Sequence, residues 1–171
     1  EAIEVFQQIL DLDPQFGFAM STMALAYAQK REYDSAIRVL NRYAAISSTN
    51  SFAYHTRGDG YIMADRYDDA IASYTRASAI EPTFIEHMMK IARVCFWREH
   101  YDDALRWNDS AMVYAPSPGK KADLLWNRAY WSYWLGRLGD AEVSLRTREV
   151  LLNSIGNQGS GVLGGLGRTV R

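Results

Sequence analysis

Residues 66–82 read RYDDAIASYTRASAIEP, and thirty-four positions later residues 100–116 read HYDDALRWNDSAMVYAP. Each opens on an aromatic residue, two acids and an alanine, carries its apolar residues at helical rather than alternating spacing, and closes on proline. Anchoring on the alanine after the acidic pair, or its equivalent, gives Ala2, Ala36, Ala70, Ala104 and Ala141, spaced 34, 34, 34 and 37 residues. Twelve positions before the last four sit Ala24, Gly58, Ala92 and Ala129, and twelve after the first four come Pro14, Ser48, Pro82 and Pro116. Tyr33, Tyr67, Tyr101 and Leu138 open the second helix of each pair.

Two antiparallel helices approach closely only where both present small side chains, so Ala or Gly recurs at each crossing, with Ala70 expected opposite Gly58. Proline ends the second helix because it cannot continue the hydrogen-bond ladder. The pattern predicts helices over 1–12, 17–30, 33–46, 51–64, 67–80, 85–98, 101–114, 121–135 and 138–153, with SPGKK (117–121) as a longer loop. One such hairpin cannot bury its apolar faces alone, and stacked copies bury them against each other.

These residues resemble the tetratricopeptide repeat (TPR) family, a 34-residue helix–turn–helix unit with small residues at its eighth and twentieth positions and proline near its thirty-second. The resemblance covers roughly residues 1–153 and implies an all-α, right-handed superhelical solenoid of stacked antiparallel hairpins. Departures fall at the eleventh position, where Tyr27 and Tyr61 give way to Cys95 and Ser132. They also fall at the twenty-seventh, where Ala77 and Ala111 contrast with Ile9, Tyr43 and Arg148. The expected organisation is a half repeat at 1–16, units at 17–50, 51–84, 85–121 and 122–153, and a Gly-rich segment at 154–171, read as a truncated, degenerate repeat. Glycine is costly in a helix, so a flexible tail is the alternative, but Val162, Leu163 and Leu166 are expected to dock on the last hairpin. Because residue 1 falls inside a repeat and LGRTVR (166–171) echoes LGRLGD (135–140), the chain is expected to start and stop mid-repeat.

Composition narrows the function classes. A net charge of −1 with 23% charged residues gives no basic footprint for nucleic acid or an anionic membrane. No apolar run is long enough to span a bilayer. The single cysteine, Cys95, excludes an internal disulfide and any multi-cysteine metal site. It takes the place of a core tyrosine and reads as a small buried apolar residue. Three histidines are present. His87 and His100 have no acidic partner at ligand spacing. His55 and Asp59 share one helix face, but two ligands are too few for a closed metal site. Asp68–Asp69 and Asp102–Asp103 lie where helices begin and complement the positive helix end. No catalytic residue, metal site or cofactor site is expected.

The resemblance implies that the first helix of each unit lines a concave groove through its second, fifth, ninth, twelfth and thirteenth positions. These are Phe18, Ser21, Leu25, Ala28 and Gln29, then Phe52, His55, Asp59, Ile62 and Met63. The third set is Glu86, Met89, Arg93, Phe96 and Trp97, and the fourth is Asp123, Trp126, Tyr130, Tyr133 and Trp134. Candidate binding residues are Phe52, His55, Asp59, Met63, Met89, Arg93, Phe96, Trp97, Trp126, Tyr130 and Trp134, since aromatic and Arg side chains anchor most binding surfaces. Arg93 and Trp97, four apart, project from one side of a helix. No unit carries the Lys and Asn of the family's two-carboxylate clamp. The expected role is a non-catalytic scaffold that binds a peptide or protein segment. The alternatives are a substrate-positioning part of a larger enzyme, such as a signalling kinase or transferase, and self-assembly. In the last reading a homo-oligomer forms through the unpaired terminal helix, whose inner face is Ala2, Phe6 and Ile9.

Overall fold

The computed structural model describes the backbone of residues 1–165 and the side chains of residues 1–156. Among these, all regular structure is helical: α1 (Ala2–Leu12), α2 (Gly17–Gln29), α3 (Tyr33–Ile46), α4 (Ser51–Met63), α5 (Tyr67–Ile80), α6 (Glu86–Trp97), α7 (Tyr101–Val113), α8 (Pro118–Trp134) and α9 (Leu138–Gly165). Two compact units divide the chain, Glu1–Val94 and the part from Cys95 onward, and the division falls within α6. In the first unit α2 pairs with α3 and α4 with α5; in the second, α8 pairs with α7 and α9.

The turns between paired helices repeat to the atom. Arg31, Asp65, Glu99 and Gly136 have φ of 62°, 56°, 61° and 71°. Each sits one residue past the helix cap, and the next residue's N–H reaches back to a carbonyl five positions earlier: Glu32 to Tyr27 (3.0 Å), Arg66 to Tyr61 (2.9 Å), His100 to Cys95 (2.9 Å) and Arg137 to Ser132 (2.9 Å). The left-handed residue's own N–H bonds inside that loop, to Ala28, Ile62, Phe96 and Tyr133. This Schellman closure satisfies carbonyls that a helix end otherwise leaves bare. Tyr, Cys and Ser all serve at the eleventh position because the turn uses their backbone.

The small residues lie where the close approach requires them. Ala36, Ala70 and Ala104 are at most 1% exposed, and Ala24, Gly58, Ala92 and Ala129 are buried. The side chain that closes on Gly58 is the ring of Tyr74, which is fully buried, and Ala70 is fully buried as well. Tyr43 is accommodated in the same way: its ring fills the space a side chain on Gly17 would need.

Asp68 and Asp69 occupy the first turn of α5, and Asp102 and Asp103 that of α7. Three of these also hold arginines: Asp69 pairs with Arg66 at 2.7 Å, Asp102 with Arg137 at 2.7 Å, and Asp103 with Arg106.

Three local expectations are corrected. SPGKK is not a loop. Ser117 caps α8 by accepting from the Lys120 N–H at 3.2 Å, and Pro118 opens the helix, where its missing N–H costs nothing. The helix α9 continues to Gly165, past the expected end at 153. Glycine weakens a helix by about 1 kcal/mol per residue, yet no proline interrupts this stretch. The inner face of α1 is not bare: Phe6 and Ile9, with Ile3, pack on a core that includes Leu10, Met20, Met23 and Tyr43, whereas Ala2 is exposed. The docking expected of Val162, Leu163 and Leu166 lies outside the described side chains.

Candidate functional site

The candidate residues fall in both units. In Glu1–Val94, Phe52 is 54% exposed and Met63 43%. Met89 is half-buried and Arg93 exposed. Ser21, Leu25 and Ala28 of α2 line a cleft of about 250 Å³ together with Asp59, Gly60 and Met63 of α4. The hydroxyls of Ser21 and Thr22 donate to the Phe18 carbonyl and that of Thr56 to Phe52, so the cleft shows mainly carbon to a visitor.

His55 and Asp59 belong to a larger polar cluster. The Nε2 of His55 is 3.4 Å from Asp59 Oδ2, and its Nδ1 is 3.0 Å from Nδ1 of His87. Asp59 Oδ1 accepts from the Tyr74 hydroxyl and the Lys90 ammonium, both at 2.6 Å. Burial lowers the pKa of His55, with Lys90 adding to the effect and Asp59 and Glu86 opposing it. Burial, reinforced by the hydrogen bond to Asp59, holds the Tyr74 hydroxyl well above the ordinary phenol range. Burial and the neighbouring His55 push the His87 pKa down as well, to about 4. Tyr74, His87 and Lys90 were not candidates from sequence. A hint was available: first helices of neighbouring units lie side by side, which brings the third and sixth positions of one (His87, Lys90) near the fifth and ninth of the last (His55, Asp59).

In the second unit, aromatic side chains collect on α8 and the end of α6. Trp97, Trp126 and Trp134 are each 53% exposed and Tyr130 44%. Phe96 is half-buried between Tyr130 and Trp131, with ring centroids 5.6 and 5.7 Å away, and Tyr130 meets Trp134 edge-on at 6.2 Å. The guanidinium of Arg148, on α9, covers the Trp126 ring at 5.5 Å. Phe96 thus packs as well as faces outward, while the tryptophans keep about half their surface in water. Tyr133, beside Trp134, is exposed too.

Cys95 is buried, and burial raises its thiol pKa, with Asp103 adding to the shift. That is the reverse of what a nucleophile needs. Among the described residues no group of three or more His, Cys, Asp or Glu is placed to hold a metal ion. None of the described helices is long and apolar enough to cross a membrane.

No family model matches the sequence, and no curated protein matches it. Solved structures do match in shape. A crystal structure of MamA superposes with a TM-score of 0.74 at 17% identity, over 91% of this chain and 89% of that one. MamA from Desulfovibrio magneticus RS-1, residues 41 to the end, gives 0.58 at 19% identity over 66% and 63%. The C-terminal part of a TPR repeat-containing protein from Cytophaga hutchinsonii gives 0.72 at 14% identity, over 87% of this chain and 61% of that one. Helix order, the four repeated turns and these superpositions together establish that the chain has a tetratricopeptide-repeat fold.

Proposed function

We propose that the chain is a non-catalytic protein-interaction module whose partner is a peptide or protein segment, seated on the aromatic face formed by Trp97, Trp126, Tyr130 and Trp134. One observation carries this reading: three tryptophans and a tyrosine on two helices of one unit are each 44–53% exposed. Large apolar surface left in water at this density is characteristic of interaction sites. Tryptophan and tyrosine are also the side chains that most often dominate interface energy. The unit layout 17–50, 51–84, 85–121 and 122–153 belongs to the same reading, as does the absence of nucleic-acid and membrane partners. Self-assembly through α1 is less favoured, because Phe6 and Ile9 are already packed.

Selection of a random peptide library on the immobilised chain tests the proposal. Enriched peptides are expected to share a bulky apolar anchor and to lose binding to a Trp134→Ala variant. Peptides that bind wild type and Trp134→Ala equally would place the partner elsewhere.

A further inference from the structure

Within the unit Glu1–Val94, two imidazoles meet where α4, α5 and α6 converge. His55 and His87 face each other through Nδ1 atoms 3.0 Å apart. His87 is 1% exposed, and its Nε2 is buried with no hydrogen-bond partner. On the far side of His55, Nε2 faces Asp59, which is itself held by Tyr74 and Lys90. Phe84, in the turn between α5 and α6, lies edge-on over both rings, 4.9 Å from His87 and 6.4 Å from His55, and is 45% exposed. The charged groups facing the pair are Asp59 of α4, Glu81 after α5, and Glu86 and Lys90 of α6. The ring of Tyr74 on α5 meets His55 at 5.5 Å.

Counting protons on the four ring nitrogens shows what acid does. While the rings stay in contact, the facing Nδ1 atoms hold one proton between them. The neutral pair has one more, which belongs on His55 Nε2, pointed at Asp59. His87 Nε2 is then a bare acceptor in the interior, a tolerable cost. A third proton has one place left, His87 Nε2. There it creates a buried N–H on a cation with no acceptor, which is far more expensive. The imidazolium can satisfy that N–H only by moving, toward water or toward the Glu81 or Glu86 carboxylate, and the exposed Phe84 packed edge-on against its ring must give way.

We propose that His55 and His87 form a proton-operated latch: neutral, they tie α4 to α6 beneath Phe84, and a third proton expels His87 and opens the turn between α5 and α6. Burial and the neighbouring His55 push the His87 pKa down from 6.5 to about 4, against the raising influence of Glu81 and Glu86. The closed form therefore binds fewer protons than an open form with an ordinary imidazole, and falling pH favours opening. The shift develops between pH 6.5 and about 4, and by pH 5 the open-to-closed ratio rises roughly twentyfold over its value at neutral pH. The device does not depend on where a partner binds.

Hydrogen exchange of the whole chain, followed in the segment 81–90 and corrected for the intrinsic pH dependence of amide exchange, tests it. Opening in wild type should rise roughly twentyfold between pH 7 and pH 5, and His87→Phe, folded by circular dichroism, should lose the rise. No rise in wild type, or an equal rise in His87→Phe, overturns the latch, because ordinary carboxylate titration would then suffice. If His87→Phe does not fold, the wild-type His87 ring resonances decide: titration well below 6.5, in step with the rise in exchange, supports the latch, and titration near the ordinary value of 6.5 overturns it.

Discussion

Tyr74 occupies the space that a side chain on Gly58 would need: a Cβ placed there would lie 2.5 Å from the ring's Cε1. The equivalent pair one repeat earlier is Ala24 with Leu40, both buried. A larger residue on one helix is thus matched by the loss of a methyl on the other. Gly58→Ala should destabilise the chain by roughly 1–3 kcal/mol through overpacking, although alanine is about 1 kcal/mol the better helix former. In a Tyr74→Leu background the same change should be neutral to stabilising by up to about 1 kcal/mol, and urea midpoints of the four proteins give the coupling. Additive effects would show that the ring does not dictate the glycine.

Glu99 takes the left-handed turn conformation with φ of 61°, at the place where Gly136 serves the next hairpin. A side chain there costs about 1–2 kcal/mol, partly offset by the freedom glycine gains when unfolded. Glu99→Gly should therefore stabilise by about 0.5–1 kcal/mol, and Gly136→Ala should destabilise by a similar amount. Chemical denaturation of both variants checks the pair. A loss of stability in Glu99→Gly would contradict the strain.

The thiol of Cys95 is 3% exposed and its pKa is raised. In the native chain a neutral disulfide reagent should label it at least roughly a hundredfold more slowly than in urea-unfolded chain, at a rate set by opening of the structure. Native labelling as fast as unfolded labelling would mean an accessible thiolate and reopen a chemical role.

Trp97 keeps 53% of its surface in water. Trp97→Ala should leave the circular dichroism and the urea midpoint nearly unchanged. It should weaken a selected peptide by roughly 2 kcal/mol, or about thirtyfold in Kd. If the variant unfolds instead, Trp97 is a core residue and does not belong to the binding face.

Features that depend on neighbours along the chain are legible in the residues alone. The period of 34, the Ala and Gly crossings and the prolines placed eight of nine helix starts within one residue, because helix propensity, capping and turn closure act over about five residues. The ninth, at Pro118, was legible too: Ser-Pro is a cap followed by a first-turn proline. Candidate groove residues could be named from the resemblance to tetratricopeptide repeats, but their environments could not. His55 reads in sequence as one polar residue four before Asp59. Only the tertiary structure sets it against His87, thirty-two residues away, and gives Asp59 the hydroxyl of Tyr74 and the ammonium of Lys90. Likewise the Tyr74 ring decides that Gly58 must be glycine, and Phe96 is half-buried where Trp97 is exposed, although the two are adjacent in the chain. Burial and pairing are sums over atoms brought together from distant helices, and a repeat period fixes which helices meet without fixing which atoms touch.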